Sequence, residues 1–209
     1  MFILHRDGDT YMSILVAYCT RESCTFWADT RGINQTVDEI TAVYDDARKV
    51  TRVNSSLLFG TTGHLDLGES VSLPIDACKN WDTMTVDGAK EAVISFAKRG
   101  MPGLTSRTYT LGGKGDGGQY IMYKIHIGSD ELEPDVEIIA PYASGHSSGL
   151  FICSSPYSRK NVGQMESALK LCLTSPLPDS AQEEAVKSVI LSNTKDDPTV
   201  SDTIEVYRV

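Results

Sequence analysis

No apolar run in this 209-residue chain approaches a membrane span, and its first residues, MFILHRDGDTYM, carry no long apolar core behind a basic start. A spanning helix needs about 20 consecutive apolar residues and a secretory leader needs an apolar central region. Both are therefore set aside, and the cytoplasm is the expected location. Basic residues are also scarce: 19 Lys and Arg stand against 28 Asp and Glu, a formal net charge of −9. Affinity for nucleic acid comes mainly from Lys and Arg neutralising phosphates, which argues against a nucleic-acid partner. The five cysteines, Cys19, Cys24, Cys78, Cys153 and Cys172, are odd in number and form no CxxC pair, which argues against a zinc knuckle. Four of them lie in apolar-rich stretches such as ILVAYC and LFIC and read as buried free thiols. His5, His64, His126 and His146 share no metal-ligand spacing, so no metal or other cofactor is expected. The sequons at Asn34 and Asn54 are chance matches in a cytoplasmic chain.

What is present fits one globular domain. The 41% hydrophobic and 22% charged residues are ordinary proportions, and the length suffices for a core without staples. Ile14 to Cys19 is a continuous apolar run, the pattern of a strand buried on both faces, and Cys24 to Asp29 reads as its hairpin partner across Thr20–Ser23. Lys49–Val53 and Ser56–Gly60 form a second pair, and the polar, acidic Gly32–Asp46 between the pairs is expected as an exposed loop or short strand. Thr85–Arg99 predicts a helix, with Val86, Ala89, Val93 and Phe96 near helical spacing and Thr85 as cap. Strands resume at Arg107–Gly112, Gln119–Ile127 and Val136–Ala140; Val162–Leu173 and Ala181–Ser192 predict helices, and Thr203–Val209 a last strand. This order suits two stacked sheets with helices outside. The glycine run Gly112–Gly118 lacks the Lys-Ser/Thr ending of a phosphate loop and is expected to be a mobile hairpin tip.

Chemistry enters with Ser13-Ile-Leu-Val-Ala-Tyr, then Phe26-Trp-Ala-Asp29-Thr-Arg31, then Ala47-Arg-Lys49-Val. This succession resembles the proteasome β-subunits and the related bacterial ring proteases, in which a nucleophilic Thr or Ser opens the first strand, an Asp ends the second and a Lys begins the third. Leu58-Phe-Gly-Thr-Thr-Gly63 resembles the family's strand and glycine turn, Tyr142-Ala-Ser144-Gly145 its later turn, and Asp197 to Val209 its closing segment. The resemblance spans nearly the whole chain. It implies a mixed α+β fold, the N-terminal-nucleophile (Ntn) hydrolase sandwich of four αββα layers with two antiparallel sheets flanked by helices. Residues 1–12 would be an N-terminal extension or propeptide, and 13–209 the hydrolase domain.

By that resemblance Ser13 is both nucleophile and, through its own α-amine, base; a free amine of pKa about 7.7–8.0 suits neutral pH. Lys49 supplies positive charge beside the hydroxyl, and Asp29 orients it. The Gly63 N–H serves the oxyanion, Ser144 and Asp197 hold the amine, and Arg31 and Ser201 support them. The expected reaction is acyl transfer from a peptide or other amide to Ser13, then hydrolysis, in a homo-oligomer.

The sequence departs from the pattern in several places. Ser stands for the usual Thr, and Lys49 falls later than usual, which a longer Gly32–Asp46 loop would absorb. The Asp197-to-Ser201 spacing is long, and Leu67–Asp82 is short and contains Pro74, where the family has its first long helix. Above all, twelve residues precede Ser13. Either they are removed, or synthesis begins at Met12, to expose the amine. The alternatives are a non-catalytic scaffold or binding subunit that keeps its extension, with Met1–Met12 as an extra strand or plug over the cleft, and a small-molecule amidase of the wider superfamily.

Overall fold

The computed structural model describes residues 9–12, 14–35, 40–65, 80–98, 106–128, 133–143, 145, 147–154 and 159–209. Within them the chain forms a mixed α+β fold of two antiparallel sheets and three α-helices.

The smaller sheet is ordered β11-β2-β3-β12, from β2 (Ile14–Thr20), β3 (Cys24–Asp29), β11 (Ser148–Ser154) and β12 (Ile204–Arg208). Its two central strands are buried on both faces because alternate side chains enter different cores, as the unbroken apolar run requires. Leu15, Ala17, Phe26 and Ala28 pack with Val50, Leu58 and Met122 of the larger sheet. Ile14, Val16 and Trp27 pack with Met165 and Leu169 of α2 (Val162–Thr174) and with Val186 and Ile190 of α3 (Asp179–Thr194).

The larger sheet runs β10-β9-β8-β7-β1-β4-β5, with β6 also paired to β7. Its strands are β1 (Asp9–Met12), β4 (Gly32–Gln35), β5 (Ile40–Tyr44), β6 (Val50–Asn54), β7 (Leu57–Leu65), β8 (Arg107–Lys114), β9 (Tyr120–Ile127) and β10 (Asp135–Ile139). A third core joins Leu57, Phe59, Tyr109, Leu111, Tyr123 and Ile125 of this sheet to Val86, Ala89 and Val93 of α1 (Val86–Lys98). Thr85 caps α1, its Oγ1 accepting the Gly88 N–H at 3.2 Å, a contact of about 1 kcal/mol.

The structure departs from the sequence reading in four places, one of them β11, where no strand is expected. Gly32–Asp46 holds a β4–β5 hairpin rather than a loop or single strand. The strand expected to end at Gly60 continues through Gly63 to Leu65, because β8 pairs with it as far as Gly63 and β1 pairs with Gly63–Leu65. Of the residues before Ser13, Asp9–Met12 form β1, inserted between β7 and β4, the extra strand expected of an extension that is kept. The glycine run is no free tip. Gly112 lies within β8, where a Cβ would meet the Phe26 ring at 2.8 Å, so glycine there admits close approach of the sheets. The tip beyond it is pinned to α1, with Asp116 N–H on Asp87 at 2.8 Å and Thr85 Oγ1 on Asp116 at 2.6 Å.

Cys19, Cys24 and Cys153 are buried free thiols and Cys172 is half-buried, while Cys78 lies outside the described residues. Asn54 is tied into structure, its amide donating to the carbonyls of Trp81 and Met84 at 3.0 Å each. Among the described residues no helix is long and apolar enough to cross a membrane, and no three His, Cys, Asp or Glu side chains gather as a metal site.

Candidate active site

Asp29 is the last residue of β3 and is 1% exposed. A carboxylate so far from water must be saturated with donors, and this one is. Oδ1 accepts the Ile14 N–H at 3.0 Å and the Lys49 ammonium; Oδ2 accepts the backbone N–H of Arg31 at 2.9 Å and of Ser201 at 3.2 Å. Three chain segments converge because β3 lies between β2, whose first residue is Ile14, and β12, whose Ile204 faces Asp29 in register.

Lys49 comes from the larger sheet, on the approach to β6, and is also 1% exposed. Its backbone is fixed by the Thr61 N–H, which donates to the Lys49 carbonyl at 3.0 Å, and by Ala47 N–H on the Thr30 carbonyl at 2.8 Å. The ion pair therefore spans the two sheets. Burial pushes the Lys49 ammonium down from 10.5 to about 8, against the opposing pull of Asp29 and, more weakly, of Asp197. A lysine in that range exchanges its proton near neutral pH, which suits it to proton chemistry or to a charge that can be turned off.

Beside Asp29 lie the hydroxyls of Ser201 and Thr30. Ser201 Oγ lies 3.1 Å from Thr30 Oγ1, accepts the Thr30 N–H at 3.1 Å and donates to the Thr203 carbonyl at 2.9 Å. Asp197, 6% exposed, accepts from Thr199 N–H at 2.9 Å and Thr199 Oγ1 at 2.5 Å. Arg31 reaches outward, pairing with Asp45 at 2.6 Å and donating to the Val200 carbonyl at 3.2 Å, which ties the end of β3 to the 197–201 segment.

Of the residues singled out in the sequence, Asp29, Lys49, Arg31, Asp197 and Ser201 thus meet in one place. Gly63 lies two positions beyond Thr61 on β7, with Met12 as its neighbour on β1 and Arg107 on β8. Its φ of +99° is a conformation only glycine adopts without strain, and a Cβ would meet the Ser106 carbonyl at 2.8 Å. Ser13 and Ser144 lie outside the described residues. Sequence reasoning missed Thr30, Thr199 and the Ile14 N–H. Asp-Pro-Thr at 197–199 is a legible turn signal, but a backbone donor leaves no mark in sequence.

No family model matches the chain, and no curated protein matches it. Among solved structures, the crystal structure of eukaryotic HslV from Trypanosoma brucei matches with a TM-score of 0.57 at 15% identity, covering 94% of this chain and 98% of that one. The fold is proteasome-like. With coverage nearly complete in both directions, the likeness is one of overall fold rather than of one motif.

Proposed function

We propose that this chain is a proteasome-like peptide or amide hydrolase of the N-terminal-nucleophile class, with the helix, two sheets and paired helices read as its four αββα layers. The observation that carries the reading is the buried Asp29–Lys49 pair hydrogen-bonded to the N–H of Ile14, the residue directly after Ser13. A fully buried ion pair adds little or nothing to stability over an apolar replacement, so its position beside the proposed nucleophile calls for a chemical use.

In this reading the Ser13 α-amine takes the hydroxyl proton as the oxygen attacks the substrate carbonyl. The Lys49 cation lowers the cost of the developing alkoxide, Asp29 holds that cation, and the Gly63 N–H receives the oxyanion. Asp197, Ser144 and Ser201 orient the amine, and Arg31 braces the segment that carries two of them. The amine exists only after residues 1–12 are removed or when the chain starts at Met12 and loses it. Copies of the chain assemble with one another, as the likeness to HslV supports.

One observation favours a second reading, a non-catalytic subunit that keeps its extension. Residues Asp9–Met12 are strand β1, held between β7 and β4, with Met12 opposite Gly63. In the uncut chain the proposed oxyanion site and the proposed amine are therefore both engaged by the chain itself. The deciding experiment expresses the protein from Met12, establishes a free Ser13 terminus by intact mass, and assays fluorogenic peptides and acyl-amides beside a Ser13→Ala control. Turnover lost in the control supports the hydrolase. A verified Ser13 terminus inert toward both substrate panels rejects it in favour of the scaffold.

A further inference from the structure

At the opposite end of the β2–β3 hairpin from Asp29, Cys19 and Cys24 stand directly across from each other. Both are fully buried, and Cys24 Sγ donates to Cys19 Sγ at 3.2 Å. The Cys24 N–H and carbonyl turn away from β2 and bond Val209 at 3.0 Å each, while the Thr20 N–H bonds the Ser23 carbonyl at 2.9 Å. Cys19 and Cys24 are therefore a non-hydrogen-bonded pair of the ladder. Such pairs hold their Cα atoms about 4.5 Å apart, within the roughly 4.4–6.8 Å that a disulfide tolerates. The other described cysteines differ: the Cys153 sulfur faces Thr110 Oγ1 at 3.5 Å, and Cys172 sits on α2.

We infer that Cys19 and Cys24 are a reversible oxidation site, a dithiol that a peroxide or a small-molecule disulfide converts into a cross-strand disulfide. With a peroxide, one thiolate attacks the O–O bond to give a sulfenic acid and water, and the second sulfur then displaces the hydroxyl as a second water. Two S–H bonds are lost, one S–S bond forms, and the peroxide is reduced by two electrons. With a small disulfide the exchange passes through a mixed disulfide and releases two thiols. The hydrogen bond between the two sulfurs and burial raise Cys24 far above the ordinary thiol range, so one sulfur of the pair attacks while the other still holds its proton. Entry is at the turn, where Arg21 and Glu22 are exposed and opening needs only the local fraying common at hairpin ends. The product staples the two strands whose far ends hold the Ile14–Asp29 contact.

The test uses the full reduced chain, titrated with hydrogen peroxide or oxidised glutathione, then denatured, alkylated and mapped without reduction by tandem mass spectrometry. Two of the five thiols should disappear as a Cys19–Cys24 cross-link that dithiothreitol reverses, with Tm raised by about 5 °C. In Cys24→Ser the same peroxide dose should leave a sulfenic acid at Cys19, trapped by dimedone. Retention of all five thiols, or oxidation of Cys19 and Cys24 singly or onto other partners, would overturn the assignment.

Discussion

The two ends of the β2–β3 hairpin are built on opposite principles. At the turn, Cys19 and Cys24 satisfy each other over a few residues of chain, with Val209 alongside. At the other end, Asp29 is held by residues 15, 20 and 172 positions away in sequence, besides its neighbour Arg31. One end is apolar and its two side chains meet within the hairpin; the other is charged and assembled from distant segments. A pair of small thiols can be altered at modest cost, because no buried charge depends on it. A buried charge held from several segments makes the registry of β2, β12 and the Lys49 approach depend on a single carboxylate. That is poor economy for stability and good design for fixing atoms in place.

Breaking the charged end should have the largest effect. Asp29→Ala removes the carboxylate bonded to the buried Lys49 ammonium and frees three backbone donors, so a loss of about 3–5 kcal/mol is expected, read as a shift in the denaturant midpoint. Lys49→Met separates chemistry from architecture. Asp29 keeps its backbone donors, so the stability loss should be about 1–3 kcal/mol, while kcat/KM of protein starting at Ser13 should fall roughly 10²–10³-fold, the scale of losing one group that stabilises transition-state charge. Equal activity in Lys49→Met and the parent would leave the pair with a structural role only.

A pH profile sharpens the comparison without mutation. Lys49 is pushed down from 10.5 to about 8, so the cation is present below about 8 and lost as pH rises through it. Hydrolysis should rise toward pH 8 as the amine loses its proton, then fall above it as Lys49 does. Stability moves the other way on the alkaline side: between about 8 and 10.5 the unfolded chain binds more protons at this residue, so its contribution to stability increases with pH. A rate that stays flat from pH 8 to 10 would contradict a charged role for Lys49. The smallest effect belongs to the turn. Cys24→Ala should cost about 1 kcal/mol, or 2–4 °C in Tm, and leave kcat/KM unchanged, as kinetics on the Ser13-started protein would show.

The same contrast explains what the sequence made legible. Strands β2, β3 and β9 and helices α1 to α3 were readable because their burial writes a period or an apolar run into local sequence. Strands β4 and β5 were legible only as a loop or one short strand. They are short, and they exist because they pair with each other and with β1, a relation with no local signature. Strand β11 has no counterpart in the sequence reading, which takes its LFIC run only as the setting of a buried thiol. At the site, Asp29 and Lys49 were found through resemblance to a known pattern. The Thr30–Ser201 contact, between residues 171 apart, and the Ile14 N–H became visible only when the sheets were assembled.

The most direct test of the account is covalent. Protein beginning at Ser13 should be treated with a serine-directed sulfonyl or lactone probe and the adduct mapped by tandem mass spectrometry. The account requires the added mass on Ser13, formed far more slowly in Lys49→Met. An adduct confined to other residues, or none on a verified Ser13 terminus, would contradict it.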